Sequence, residues 1–270
     1  MNDVPPGWPT PFWTALVLAG QRPGVDPVAA QFGLEAKALV PVAGEAMLNR
    51  VLMALLDAPE IARIVVLAQN TLKLRAHPDL AWAVAEERIS FRVSGTTISG
   101  SVLDAINDPD IGLPVLVTTA DNVMLTPATI TEFIAGAVGS DVSVAMVERG
   151  NLEAAVGRNR RTWLTFKDGA YTGANLFALS APAAANAIRF WERAEQDRKS
   201  VLRLAAHFGP VLMLKLLARR MTVREALAAA GAKLGATAAP VLLSDGRMGV
   251  DVDKPEDHAL ATRLLATGDA

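Results

Sequence analysis

Leu16-Val-Leu-Ala-Gly-Gln-Arg22, followed after a permissive stretch by Lys37-Ala-Leu-Val-Pro-Val-Ala-Gly44, decides how this chain is read. It has the order buried strand, glycine turn, basic residues, helix. A glycine directly after a buried strand lets backbone N–H groups approach a polyanion closely, and Gln21, Arg22 and Gly24 continue a polar loop behind it. Taken alone, such a turn is equally a tight β-to-α connection, and a single lysine is equally a solvated side chain. The rest of the chain determines which reading applies.

Working outward, Ile64-Val-Val-Leu-Ala68, Ile89-Ser-Phe-Arg-Val93, Pro114-Val-Leu-Val-Thr-Thr119 and Val142-Ser-Val-Ala-Met-Val147 are short β-branched runs suited to a sheet covered on both faces. Between them Met47, Leu48, Val51, Leu52 and Leu55 fall on one helical face, and Pro127 opens another helix. This alternation predicts βαβ units. Thr162-Trp-Leu-Thr-Phe166, the turn Lys167-Asp-Gly169 and Asn175-Leu-Phe-Ala-Leu179 predict an antiparallel hairpin. Residues 181–235 read as a helical insert broken at Pro182, Gly209-Pro210 and Gly231, ahead of a last strand near Met248-Gly-Val-Asp-Val252. The expected organisation is an irregular N-terminal arm over 1–13 and a single domain over 14–270 that includes the insert.

Composition narrows the function. The chain has 270 residues, 51% of them hydrophobic, so an α/β core is readily filled. A net charge of -2 with scattered basic residues excludes the basic stripe of a general nucleic-acid binder, and no nucleic-acid partner is expected. The absence of cysteine excludes disulfides and thiolate-held metals. His77, His207 and His258 are too dispersed for a zinc site, and no Gly-x-Ser-x-Gly or Ser/His/Asp arrangement supports hydrolysis. The proline-rich start lacks a secretory pattern, and the apolar run Phe208–Ala218 is too short and interrupted to cross a bilayer, which takes about 20 residues. A cytoplasmic protein is expected. The apolar insert residues with Arg219-Arg220 suggest core or a dimer interface, with peripheral membrane contact through 200–235 as the sharper alternative.

Four segments, in order, resemble the MobA-like and sugar-phosphate nucleotidyltransferase family with the glycosyltransferase-A-like fold. This group includes molybdenum-cofactor guanylyltransferases, sugar-1-phosphate nucleotidyltransferases and methylerythritol-phosphate cytidylyltransferases. The segments are Leu18-Ala-Gly20 with Lys37 and Leu39–Leu48; Gly95-Thr-Thr-Ile-Ser-Gly-Ser101-Val-Leu-Asp-Ala105; Thr119-Ala-Asp121-Asn122; and Asp251-Val-Asp253-Lys-Pro255-Glu-Asp257. Together they cover about Thr14 to Leu260. The departures are Gly20-Gln-Arg-Pro-Gly24 in place of the usual Gly-Gly-x-Gly/Ser-Thr/Ser-Arg, a longer gap to Lys37, and Glu45-Ala46 where relatives carry a basic residue and proline.

The resemblance implies a Rossmann-like α/β fold, with a mixed, mostly parallel sheet and helices on both faces. It also implies transfer of NMP from an NTP to a phosphorylated acceptor with release of pyrophosphate. CTP is slightly favoured because the Ser99–Val102 portion is similar to the cytidylyltransferase version. Lys37, Arg22 and Asp121 would be catalytic, and Leu18, Ala19, Gly20, Gln21, Gly95, Thr96, Ser99 and Ser101 would contact the nucleotide. Asp121 and Asp251 would be the primary ligands of Mg²⁺, a hard cation suited to a few carboxylates plus phosphate oxygens, with Asp253 as an alternative ligand. Asp121 could instead close a strand-end turn, and Asp253 could serve as a water-mediated ligand or cap the helix ahead of Pro255. Arg158, Arg161 and Asn175 would bind the acceptor, which could be a small molecule or a lipid-pathway phosphate. A nucleotide-sugar-dependent glycosyltransferase and a non-catalytic nucleotide-binding module on the same fold are the competing readings.

Overall fold

The computed structural model describes residues 12–21, 24–158, 161–196 and 209–267. Arg22, Val201 to Phe208 of the insert and the arm up to residue 11 lie outside these residues. Among the described residues the strands are β1 (Trp13–Leu18), β2 (Pro41–Val42), β3 (Glu45–Ala46), β4 (Ile61–Ala68), β5 (Ile89–Val93), β6 (Val115–Thr119), β7 (Val142–Glu148), β8 (Leu164–Thr165), β9 (Ala170–Leu179) and β10 (Ala238–Leu242). Their pairing is mixed and mostly parallel, in the α/β arrangement expected, with helices on both sides. The chain divides into two compact units.

The first unit takes Met1–Ser94, Pro114–Ile134 and Val250–Ala270. Four of its strands lie in the order β6-β1-β4-β5, mutually parallel, with Leu16 opposite Val65 on one side and Val117 on the other, while β2 and β3 pair antiparallel in a separate two-stranded sheet. Ala15, Leu16, Val17, Ile64, Val65, Val66, Val115 and Leu116 are fully buried, which explains why these strands read as continuous apolar runs rather than alternating ones. The helix Met47–Leu56 buries the face its sequence foretells: Met47, Leu48, Val51, Leu52 and Leu55. No side chain of its own caps it. The Ala46 N–H at its start donates instead to Asp79 Oδ2, 2.9 Å away. Each of β1, β4 and β6 ends in a loop at its carboxyl end, where open parallel sheets place ligands.

The second unit takes Gly95–Leu113 and Ala135–Gly249. Here β7 pairs β10 in parallel and β9 antiparallel, while β8 pairs β9 as the predicted hairpin. The Phe166 N–H donates to the Gly169 carbonyl at 2.8 Å, closing the Asp-Gly turn. Asp168 of that turn also accepts from the Val223 N–H at 3.0 Å, at the start of the helix Val223–Leu234. Thr222 and Glu225 complete a reciprocal capping box there.

Two local expectations change. Gly231 does not break the insert but lies inside the helix Val223–Leu234, which ends at Gly235 in the left-handed region (φ 71°). A Cβ on Gly231 would come within 2.6 Å of the Ala236 carbonyl oxygen, so glycine here serves close packing. Met248–Val252 is not a strand: Gly246–Gly249 is a 3₁₀ turn, and the last strand is β10. The turn is packed closely, since a Cβ on Gly246 would lie 2.1 Å from the Asn151 carbonyl oxygen. The backbone passes tightly against the helix Arg149–Val156 instead of entering a ladder. The helix Pro210–Leu217 buries none of its residues and leaves Val211, Leu214 and Leu217 exposed along one stripe. Among the described residues no helix is long and apolar enough to cross a membrane.

Candidate active site

The end of β1 is fixed from both sides. The Ala19 N–H donates to the Leu67 carbonyl of β4 at 2.9 Å, and the Ala120 N–H, just past β6, donates to the Leu18 carbonyl at 3.0 Å. Gly20 and Gln21 therefore leave the sheet beside the tip of β6, both exposed.

At that tip Asp121 is held by both carboxylate oxygens. The Thr119 hydroxyl donates to Oδ1 at 2.5 Å, and the Lys37 ammonium donates to Oδ2 at 2.5 Å. The turn beneath is closed by the Asn122 N–H on the Thr119 carbonyl and by the nearly buried Asn122 side chain, whose Nδ2 donates to Thr118 Oγ1 at 3.1 Å. Asp121 thus sits on a rigid strand end.

Lys37 begins a 3₁₀ turn anchored by buried Ala38 and Leu39. Its ammonium also donates to Asp253 Oδ1 at 2.7 Å. Lys37 and Asp121 are each only 16% exposed, whereas Asp253 is 60% exposed. Burial lowers the Lys37 pKa, but attraction and hydrogen bonding from the two aspartates outweigh it and hold the ammonium above its ordinary value of 10.5. Lys37 is thus a fixed cation at neutral pH and unsuited to serve as a base.

Asp253 is brought to the lysine by the segment ahead of the helix Pro255–Ala266. Lys254, not Asp253, is the residue at the helix cap, and its N–H donates to Asp257 Oδ2 at 3.1 Å. One turn further on, His258 Nε2 lies 2.8 Å from the Pro41 carbonyl, a bond it makes as the Nε2–H donor, and its ring packs against Phe32 with centroids 4.9 Å apart. These contacts dock the late helix against the β2–β3 turn that follows Lys37. That turn is itself stapled by Arg50, whose Nε donates to the Val42 carbonyl at 2.8 Å and whose Nη2 donates to that of Ala43 at 3.1 Å. Asp251 lies two residues before Asp253, half-buried.

The donor set fits a hard divalent cation. Asp121 Oδ2 and Asp253 Oδ1 both reach one ammonium, so they stand no farther apart than the sum of those two short bonds. Two carboxylates with substrate phosphate oxygens and water are a usual Mg²⁺ shell. Among the described residues no group of three or more His, Asp or Glu is arranged to hold a metal unaided.

The remaining expected residues lie in the second unit. The Gly95 N–H donates to the Ser101 hydroxyl at 2.9 Å, and that hydroxyl donates to the Thr97 carbonyl at 2.7 Å. Thr96 is exposed, and Ser99 is fully buried. Thr97, part of the same motif but without an expected role, caps the helix Ile98–Asn107 through the Gly100 N–H. Asn175 occupies the left-handed region (φ 48°) beside the register shift of β9 against β7, a bulge of the kind that re-aims side chains. Arg158 is exposed and Arg161 half-buried.

Thr119 and Gln69 likewise have no role in the sequence reading. Thr119 stands beside Asp121 in its motif without a function of its own. Gln69, directly after β4, accepts from the Gln21 N–H at 3.0 Å and donates to the Gln21 carbonyl at 3.2 Å. Its place at the carboxyl end of a parallel strand is the signal that could have found it.

The family described as MobA-like NTP transferase domain matches residues 15–242. No curated protein matches. Among solved structures, a hypothetical transferase from Thermus thermophilus is 29% identical with a TM-score of 0.75, over 92% of this chain and 99% of that one. The 4-diphosphocytidyl-2C-methyl-D-erythritol synthase of Anaerococcus prevotii is 13% identical (TM-score 0.55, 94% and 96% covered). A nucleotidyl transferase from Methanothermobacter thermautotrophicus is 18% identical (TM-score 0.54, 96% and 100% covered). The last two share the fold. With the family match spanning most of the chain, this protein belongs to the MobA-like NTP transferase domain family and is a nucleotidyltransferase.

Proposed function

We propose that this nucleotidyltransferase moves NMP from an NTP, with CTP favoured, to a phosphorylated small-molecule or lipid-pathway acceptor and releases pyrophosphate. The observation that carries this reading is the convergence of Lys37, Asp121 and Asp253 at the carboxyl end of the sheet. An acceptor phosphate oxygen attacks the α-phosphorus, the bond from that phosphorus to the β-bridging oxygen breaks, and pyrophosphate carries off the electron pair. The reactants are polyanions, so the chain must neutralise charge and fix an in-line geometry.

In this reading the Gly20–Gln21 turn offers backbone N–H groups to the triphosphate, and Lys37 supplies a permanent positive charge to it. Each charge-assisted hydrogen bond that Lys37 makes to phosphate contributes about 1.5–3 kcal/mol. Asp121 and Asp253 would hold Mg²⁺, with Asp251 beside them; when bound, the ion supplies charge neutralisation at the phosphates. Thr119 keeps Asp121 oriented. Arg158, Arg161 and Asn175 are assigned to the acceptor, arginine for phosphate and the amide for hydroxyls.

The reading is tested by incubating the protein with each of the four NTPs and a panel of sugar, polyol and lipid-pathway phosphates, measuring pyrophosphate and the mass of the nucleotidyl product. One NTP and one acceptor class giving stoichiometric pyrophosphate and product is the expected result. Release of a nucleoside diphosphate from a nucleotide-sugar, with no pyrophosphate from any NTP, would replace it with glycosyl transfer.

A further inference from the structure

The backbone ladder between β1 and β4 runs through the Ala19 N–H on the Leu67 carbonyl. Two residues farther on, the Gln69 side chain takes up the pairing. Its Oε1 accepts from the Gln21 N–H and its Nε2 donates to the Gln21 carbonyl, at 3.0 and 3.2 Å. A primary amide offers the same donor and acceptor pair as a peptide group, so the side chain extends the ladder where the main chain has left it.

Gly20 is what lets the amide lie there. A Cβ on Gly20 would meet Gln69 Oε1 at 2.9 Å, Nε2 at 3.0 Å and Cδ at 3.2 Å. Gly20 is not among the residues with positive φ. Its missing side chain is therefore explained by close approach of the amide rather than by backbone conformation.

We infer that Gln69 is a positioning residue that pre-orders the Gly20–Gln21 turn for the triphosphate by a two-point amide clamp on the Gln21 backbone. This rests on the proposed function, because the turn is the triphosphate contact in that reading. Gln69 acts through Gln21 on a feature common to every NTP. Its effect on affinity is therefore independent of the base.

The test measures calorimetric binding of inorganic tripolyphosphate and of each of the four NTPs, with Mg²⁺ present, to the full chain carrying Gln69→Leu. Two neutral hydrogen bonds organise the turn, so every ligand that the wild type binds should bind about 10-fold more weakly. The thermal midpoint should stay near the wild-type value, because Gln69 is exposed. Gly20→Ala, which pushes the amide off, should reproduce the loss. Loss confined to one nucleotide with tripolyphosphate unchanged would make Gln69 a reader of the base and overturn the inference. Equal affinity of wild type and both variants overturns the inference alone. A wild-type chain that binds none of the five ligands overturns the nucleotide reading and the inference together.

Discussion

Thr119 and Asp121 form a closed unit at the tip of β6: the Thr119 hydroxyl holds Asp121 Oδ1 at 2.5 Å, leaving Oδ2 to face Lys37. Replacing Thr119 by Val keeps the shape and removes the donor. A hydrogen bond of about 1 kcal/mol orients the carboxylate, so kcat should fall roughly 5- to 10-fold while the KM for nucleotide changes little. Thr119→Ser should restore most of the rate. A loss that Ser does not restore would mean that the methyl group, not the hydroxyl, matters.

Lys37 neutralises two carboxylates that approach one point. Lys37→Met leaves them facing each other without a counter-ion, and a divalent cation then has more to relieve. Mg²⁺ alone should raise the thermal midpoint of Lys37→Met more than that of the wild type, by roughly 2–4 °C per kcal/mol of added binding. A smaller shift in the variant would argue that the two aspartates do not form a cation site.

The acid side of the stability profile should report Asp141. Its carboxylate accepts from the Thr237 N–H at 2.7 Å and from the Thr237 hydroxyl at 2.8 Å, and these bonds hold its pKa below the ordinary 3.8. A depressed carboxylate contributes stability above its unfolded pKa and loses it as pH falls through the folded value. Asp141→Ala should lower the thermal midpoint at pH 7, and the gap to wild type should shrink as the pH is taken from about 5 to below 3. A gap that does not change with pH would show the clamp to be insensitive to charge.

Two glycines predict opposite signs. Gly150 lies in the helix Arg149–Val156, and a Cβ added to it would meet nothing within 4 Å, so Gly150→Ala should stabilise by about 0.5–1 kcal/mol. Gly246→Ala drives a methyl into the Asn151 carbonyl and should cost at least about 1–3 kcal/mol. Urea denaturation of the two variants separates these outcomes, and equal midpoints would contradict the packing described.

Much of the fold is legible in the sequence, for identifiable reasons. Strands buried on both faces announce themselves as unbroken apolar runs, and Met47, Leu48, Val51, Leu52 and Leu55 announce a helix face that the structure buries completely. The pairing of Lys37 with Asp121 and Asp253 can be suspected only through resemblance, since 84 and 216 residues separate them and no local pattern encodes such contacts. Met248-Gly-Val-Asp-Val252 reads as strand because Met248, Val250 and Val252 alternate with Gly249 and Asp251, yet its start belongs to the 3₁₀ turn Gly246–Gly249. The close approach of Gly246 to the Asn151 backbone is a long-range contact that no local pattern contains. Gln69 escapes a sequence reading because a lone glutamine after a strand looks like a solvated loop residue; only the nearness of its amide to Gly20 shows the clamp.

The most direct test of the central claim is the initial rate of pyrophosphate release, at saturating NTP and acceptor, for the wild type, Lys37→Ala and Asp121→Ala. If Lys37 and Asp121 neutralise the reacting phosphates, each substitution should reduce that rate by on the order of 10²-fold or more. Rates within about twofold of wild type in both variants, where a preorganised electrostatic partner should be worth far more, would contradict the account.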